Sequence, residues 1–151
     1  MPSRYAVDTN ILLRLSDRLS AQNPLIVEAM RGVGLQNAEF CFTAQNLGEF
    51  WNVSTRPITR NGFGLSIQET FWRFRSIQEN MTLLPETEAV FQVWLQLLQT
   101  YEVRGTEVHD AHLAAVLQVH QVTHLLTFNG ADFKRFPRIV AVHPQDLVGR
   151  G

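Results

Sequence analysis

The sequence has one cysteine, Cys41, one lysine, Lys134, and no apolar run long enough to span a membrane. A lone cysteine cannot form an internal bridge, which excludes a small disulfide-stapled secreted fold. Its setting, Glu39-Phe40-Cys41-Phe42, reads as a strand entering a core, so a buried, inert thiol in a reducing cytoplasm is expected rather than a nucleophile. Met1-Pro2-Ser3-Arg4 leads directly into Tyr5-Ala6-Val7-Asp8, without the apolar stretch of a signal peptide, and a cytoplasmic protein with no membrane contact is expected. Neither sign of charge dominates: the formal net charge is −1. A uniformly basic nucleic-acid binder is thereby excluded, although not a local basic surface. No internal repeat or low-complexity linker divides the chain.

The 151 residues, 45% of them hydrophobic, suffice for one domain, 1–151, with a core of its own. Twelve of the 13 basic residues are arginine, whose planar fork pairs bidentately with phosphate. Strand patterns at 4–7, 38–43, 81–85, 124–127 and 139–142 alternate with helical ones at 10–15, 24–31, 44–54, 67–78, 86–101 and 108–120. Gly32 and Gly34 are expected to stop the second helix, and 56–65 and 129–136 to be loops. The helix at 108–120, carrying Ala111, Leu113, Ala114, Ala115, Val116 and Leu117, is apolar almost all round and should lie buried. This alternation predicts a three-layer α/β/α sandwich with a central, mainly parallel sheet of four to five strands. In such sheets ligands bind beyond the carboxyl ends of the strands.

Acids follow those ends. Asp8 follows the first strand, Glu49 lies a few residues past the second, Asp110 opens the helix before the fourth, and Asp132 comes five residues after Thr127. Taken singly, Asp8 and Asp110 read equally well as helix caps, and Glu49 and Asp132 as solvated charges. Capping does not explain an acid after so many strand ends on one edge. Carboxylates crowded there repel one another unless a divalent cation sits between them, and hard oxygen donors suit Mg2+ or Mn2+, which also bind phosphate oxygens.

The segments Val7-Asp8-Thr9-Asn10-Ile11-Leu12-Leu13, Asn46-Leu47-Gly48-Glu49-Phe50, His109-Asp110-Ala111-His112-Leu113-Ala114-Ala115 and Leu126-Thr127-Phe128-Asn129-Gly130-Ala131-Asp132-Phe133 resemble, in order, the four motifs of PIN-domain nucleases, most closely the VapC-type toxins. The resemblance covers nearly the whole chain. It implies a Mg2+- or Mn2+-dependent endoribonuclease in which Asp8, Glu49 and Asp110 bind the metal and Asp132 completes the site directly or through water. It further implies that Thr9 and Thr127 orient those carboxylates and that Asn10 is structural or supports them from behind. Asn129 stands where many relatives carry another Asp. A neutral amide there lowers the charge of the site and should weaken binding of a second cation. Members of this subgroup form homodimers and are silenced by a small antitoxin that inserts a segment, often with an arginine, into the acidic pocket. Helices carrying Phe71, Trp72, Phe74, Phe91 and Trp94 offer surface for both contacts.

Arg56, Arg60, Lys134, Arg135 and Arg138 lie in predicted loops beside the acidic motifs, where an RNA backbone would need them. His109 and His112, three apart, open the alternative of a zinc site with His143 or His124, but no cysteine completes a tetrahedral set. The main rival function is a haloacid-dehalogenase-type phosphatase with Asp8 as nucleophile. That family resembles Asp-x-Asp, whereas this chain reads Asp8-Thr9-Asn10. A non-catalytic PIN-like module binding RNA or protein is the second rival, against which all four acids stand.

Overall fold

The structure, a computed structural model, describes residues 2–149. Five strands, β1 (Arg4–Val7), β2 (Glu39–Thr43), β3 (Thr82–Leu84), β4 (His124–Leu126) and β5 (Val140–Val142), form one sheet in the order β3-β2-β1-β4-β5. Every neighbouring pair is parallel, with Tyr5 opposite both Phe40 and His124. The expectation of a mainly parallel sheet is met in full. Parallel strands need long crossovers, and among the described residues seven helices supply and flank them: α1 (Thr9–Ser16), α2 (Asn23–Gly34), α3 (Ala44–Thr55), α4 (Ile67–Asn80), α5 (Glu88–Thr100), α6 (Glu107–Val119) and α7 (Pro144–Leu147).

Alternation along each strand divides the core between the two faces of the sheet. Tyr5, Val7, Phe42, Leu126 and Val142 pack on one face with Ile11, Leu12, Ile26, Phe50 and Phe74 of α1 to α4. Ala6, Cys41, Leu84 and Leu125 pack on the other with α5 and α6, where Ala111 through Leu117 are all buried. Cys41 is fully buried, and burial pushes its thiol up to about 11, with Glu39 adding to the shift. The native protein should therefore leave Cys41 unlabelled by an aromatic disulfide reagent at neutral pH and react fully once denatured. Rapid labelling of the folded chain would contradict this packing.

Three boundaries differ from expectation in ways that matter. α2 continues through Gly32 to Gly34, because Val33 is buried and the helix packs against α7. α7 itself was unforeseen. It follows β5 through a capping box in which His143 accepts from the Gln145 N–H and Asp146 accepts from the His143 N–H, with Pro144 at the first turn. α5 starts at Glu88, capped by Thr87, so Glu86 stays outside the helix in the β3–α5 connection. Both expected loops also contain a 3-10 turn, Ile58–Arg60 and Gly130–Phe133, the latter anchored by the buried Phe133.

Candidate active site

From β1 the chain moves outward to β2 and β3, then crosses back to β4 and β5 on the other side. The order reverses between β1 and β4, and a crevice opens at the carboxyl ends of those strands. Asp8 stands there. Its N–H donates to the Leu126 carbonyl at 3.0 Å, extending the β1–β4 pairing by one residue. One carboxylate oxygen accepts from the Thr9 N–H at 2.8 Å and caps α1; the other accepts from the Thr127 hydroxyl at 2.7 Å. Asp8 is thus a helix cap and a member of the acidic edge at once.

The two threonines brace two different acids. Thr127, buried at the end of β4, is fixed by the Asn129 N–H, which donates to its hydroxyl at 3.0 Å. Thr9, also buried, donates to Glu49 Oε1 at 3.0 Å and accepts from the Asn46 amide at 3.0 Å. Asn46 is held in turn by the α3 capping box with Thr43. The Asn10 amide oxygen accepts from the Phe128 N–H at 3.4 Å and ties α1 to the segment after β4.

Asp110 lies in the first turn of α6, and Asp132 lies in the 3-10 turn after β4. Both line a cavity of about 270 Å3 with Glu107, Ala131, Lys134 and Arg135. The four acids share one electrostatic neighbourhood. Burial pushes Asp110 up to about 6, and the charges of Asp132, Asp8, Glu49 and Glu107 add to the shift. Burial also raises Asp8, helped by Glu49 and Asp132 and opposed by the Thr127 and Thr9 hydrogen bonds. Among the described residues the ion pairs are Arg73–Glu69, Arg75–Glu79, His112–Glu86 and Arg135–Glu107, so no basic side chain neutralises any of the four.

The cluster is an open ring rather than a cage. Among the described residues, no three His, Cys, Asp or Glu side chains converge tightly enough to enclose an ion. This donor set fits a hard cation that keeps most of its water and touches one or two carboxylates directly. It does not fit zinc, which takes four close donors, chiefly nitrogen and sulfur. His109 is exposed, and His112 turns away to Glu86.

The expected basic residues divide. Lys134 and Arg135 stand at the cavity with Asp110 and Asp132, and Arg135 is paired with Glu107 at 2.9 Å. Arg56 and Arg60 lie on the separate 56–65 loop, where Arg56 donates to the Asn61 carbonyl at 3.1 Å. Of the aromatics expected to form partner surface, Phe71, Trp72 and Phe91 are exposed. Phe74 is buried, and the Trp94 indole donates to the Val108 carbonyl at 3.0 Å.

Gln45 and Glu86 escaped the sequence reading. Gln45 Nε2 donates to Glu49 Oε1 at 3.3 Å, and Glu86 meets His112 Nε2 at 2.9 Å. The one available signal was that Glu86, too, is an acid shortly after a strand end.

A PIN domain family model matches residues 5–139. Among solved structures, the chain resembles VapBC-1 from nontypeable Haemophilus influenzae (TM-score 0.68, 16% identity, covering 94% of this chain and 98% of that one). It is similar to a toxin-antitoxin complex from Klebsiella pneumoniae (0.59, 20%, 93% and 97%). It also resembles Mycobacterium tuberculosis VapC20, a Sarcin-Ricin loop cleaving toxin (0.60, 16%, 89% and 98%). At these identities the likeness is one of fold. No curated protein matches the chain significantly.

Proposed function

This chain belongs to the PIN-domain family, and from that premise we propose that it is a divalent-cation-dependent endoribonuclease, the toxin of a toxin-antitoxin pair. The observation that carries the reading is the acidic edge, where Asp110 is pushed up to about 6 and Asp8 is raised as well, with none of the four acids in an ion pair among the described residues. Asp8, Glu49 and Asp110 would hold Mg2+ or Mn2+, with Asp132 completing the ring directly or through water. A cation there supplies Lewis-acid stabilisation to phosphodiester hydrolysis and makes water a better nucleophile.

The remaining roles belong to the chain. Thr127 and Thr9 hold the Asp8 and Glu49 carboxylates in fixed rotamers, so little reorganisation is needed when substrate arrives. Lys134 and Arg135, beside Asp110 and Asp132, draw in the phosphate backbone against the repulsion of the acids. Asn129 contributes a neutral amide where a further carboxylate would help bind a second cation, which favours a single-ion site. Asn10, occupied with Phe128, is no second acid for phosphoaspartate chemistry.

The antitoxin partner is supported by the likeness to a VapBC assembly and to a toxin-antitoxin complex, while the homodimer follows from the motif resemblance alone. An apolar groove lined by Phe42, Leu47, Trp51, Phe71, Met81 and Leu83 offers a partner protein a place to dock. Among the described residues, no helix is long and apolar enough to cross a membrane.

The test is incubation of the purified chain with structured RNA and Mn2+ or Mg2+. Cleavage that chelator abolishes and added cation restores is expected, whereas covalent phosphate on Asp8 or cation-independent cutting would overturn the reading. Lys134→Ala with Arg135→Ala should weaken RNA binding and flatten its salt dependence, by a log-log slope of about 0.7 for each contact to single-stranded RNA. Unchanged binding would remove these residues from the RNA path.

A further inference from the structure

We propose that Gln45, held by His112 and Glu86, is a positioning residue that fixes the Glu49 carboxylate at the acidic edge; this rests on Glu49 being a cation ligand. Four side chains from three parts of the chain form a continuous line. Glu86, in the β3–α5 connection, meets His112 Nε2 with both carboxylate oxygens, at 2.9 and 3.0 Å. His112 Nδ1 bonds Gln45 Oε1, and Gln45 Nε2 donates to Glu49 Oε1 at 3.3 Å and to the His109 carbonyl at 3.0 Å.

The direction of this line follows from its ends. The Gln45 amide nitrogen faces two acceptors, so the amide oxygen must be the atom that meets His112, and Nδ1 donates to it. Nε2 faces the Glu86 carboxylate. His112 is buried and its ring packs edge-on against Trp94 at 4.6 Å between centroids, which leaves the imidazole no free rotation. Gln45 therefore points at Glu49 in one orientation only. Together with the Thr9 hydroxyl it occupies Glu49 Oε1, which leaves Oε2 as the oxygen for a cation. Glu49 lies a full turn into α3, where a flexible glutamate would otherwise sample several rotamers, and ordering it before a cation arrives strengthens binding.

The experiment is calorimetric titration of the full chain with Mn2+ alone, comparing Gln45→Met with the parent in both the unmodified and the Glu49→Ala backgrounds. Gln45→Met keeps the volume and removes the amide. It should lower Mn2+ affinity about tenfold in the parent, the range seen when outer partners of ligands are lost, and by less than about twofold when Glu49 is absent. Gln45→Asn, which withdraws the amide by one methylene, should repeat the loss. His112→Asn, whose amide nitrogen sits near the place of Nδ1, should retain more affinity than His112→Ala. Equal losses in the two backgrounds, or no loss in the parent, would overturn the positioning role. If Glu49→Ala binds Mn2+ as tightly as the parent, the ligand reading of Glu49 fails and takes the relay with it. If Glu49→Ala loses affinity while Gln45→Met and Gln45→Asn do not, only the relay is wrong.

Discussion

Asp8→Asn and Asp110→Asn should each lower cation-dependent RNA cleavage by roughly 10^3-fold, about 4 kcal/mol of lost transition-state stabilisation, yet Asp110→Asn should make the cation-free protein more stable. The two effects share a cause. In the folded protein burial and the neighbouring carboxylates push Asp110 up to about 6, from an ordinary value of 3.8. The folded state therefore holds this proton more tightly than the unfolded chain does. The resulting stability is fully present below about 3.8 and is lost as pH rises through about 6. Above that window the ionised group opposes folding. After allowance for solvent screening at a half-buried site the penalty is about 1 kcal/mol, or roughly 2–4 °C in melting temperature. Chelator-treated Asp110→Asn should accordingly melt above the parent at mildly alkaline pH and converge with it in acid. Excess Mn2+ should reverse the ranking, since a ligand at about a hundred times its Kd adds roughly 2.7 kcal/mol to the form that binds it. Melting curves with and without Mn2+, read beside a cleavage assay, check all of this. Parity of Asp110→Asn with the parent in every readout would remove it from the site.

Gly62→Ala should destabilise the protein by about 3 kcal/mol and lower its melting temperature by roughly 10 °C. A Cβ at Gly62 would lie 1.9 Å from the Arg56 carbonyl oxygen and 2.4 Å from the carbonyl carbon. Backbone hydrogen bonds prevent the loop from swinging aside. Gly62 N–H donates to Pro57 O at 3.0 Å, Phe63 N–H to Val53 O at 2.9 Å, Gly64 N–H to Arg56 O at 2.9 Å and Leu65 N–H to Ser54 O at 2.8 Å. The 56–65 segment is thus zipped back onto the end of α3, and an added methyl must break part of that zipper. The same variant separates two functions. Arg56 and Arg60 ride on the loop, so any RNA affinity they contribute should fall, while Mn2+ affinity, set at the strand ends, should hold. A melting temperature within a degree or so of the parent would show that the loop relaxes freely.

The acidic edge was legible because Asp8, Glu49 and Asp132 each follow a strand by a few residues, Asp110 opens the helix that leads into β4, and a parallel sheet gathers such positions at one end. Asp8, Glu49, Asp110 and Asp132 needed no knowledge of how helices pack. Gln45 and Glu86 did. Their meeting at His112 depends on the approach of α3, α6 and the β3–α5 connection, and none of the three side chains announces a partner in its local sequence. α7 escaped because four residues carry no readable period. α2 outran Gly32 because the contact with α7 outweighs the intrinsic cost of glycine in a helix. His112 serves two ends at once, buried beside Trp94 and bonded toward Glu49 through Gln45.

The position of β1 at the centre of the sheet has a temporal meaning. Of the five described strands it is synthesised first, yet β4, the neighbour whose Thr127 anchors Asp8, begins only at His124. Until then Asp8 has neither the Leu126 carbonyl for its N–H nor the Thr127 hydroxyl for its carboxylate, and Asp132 has not been made. A chain interrupted before His124 carries at most three of the four acids, without the scaffold that brings them to bear. Synthesis order itself delays the completed acidic edge until β4 and the turn that carries Asp132 have emerged.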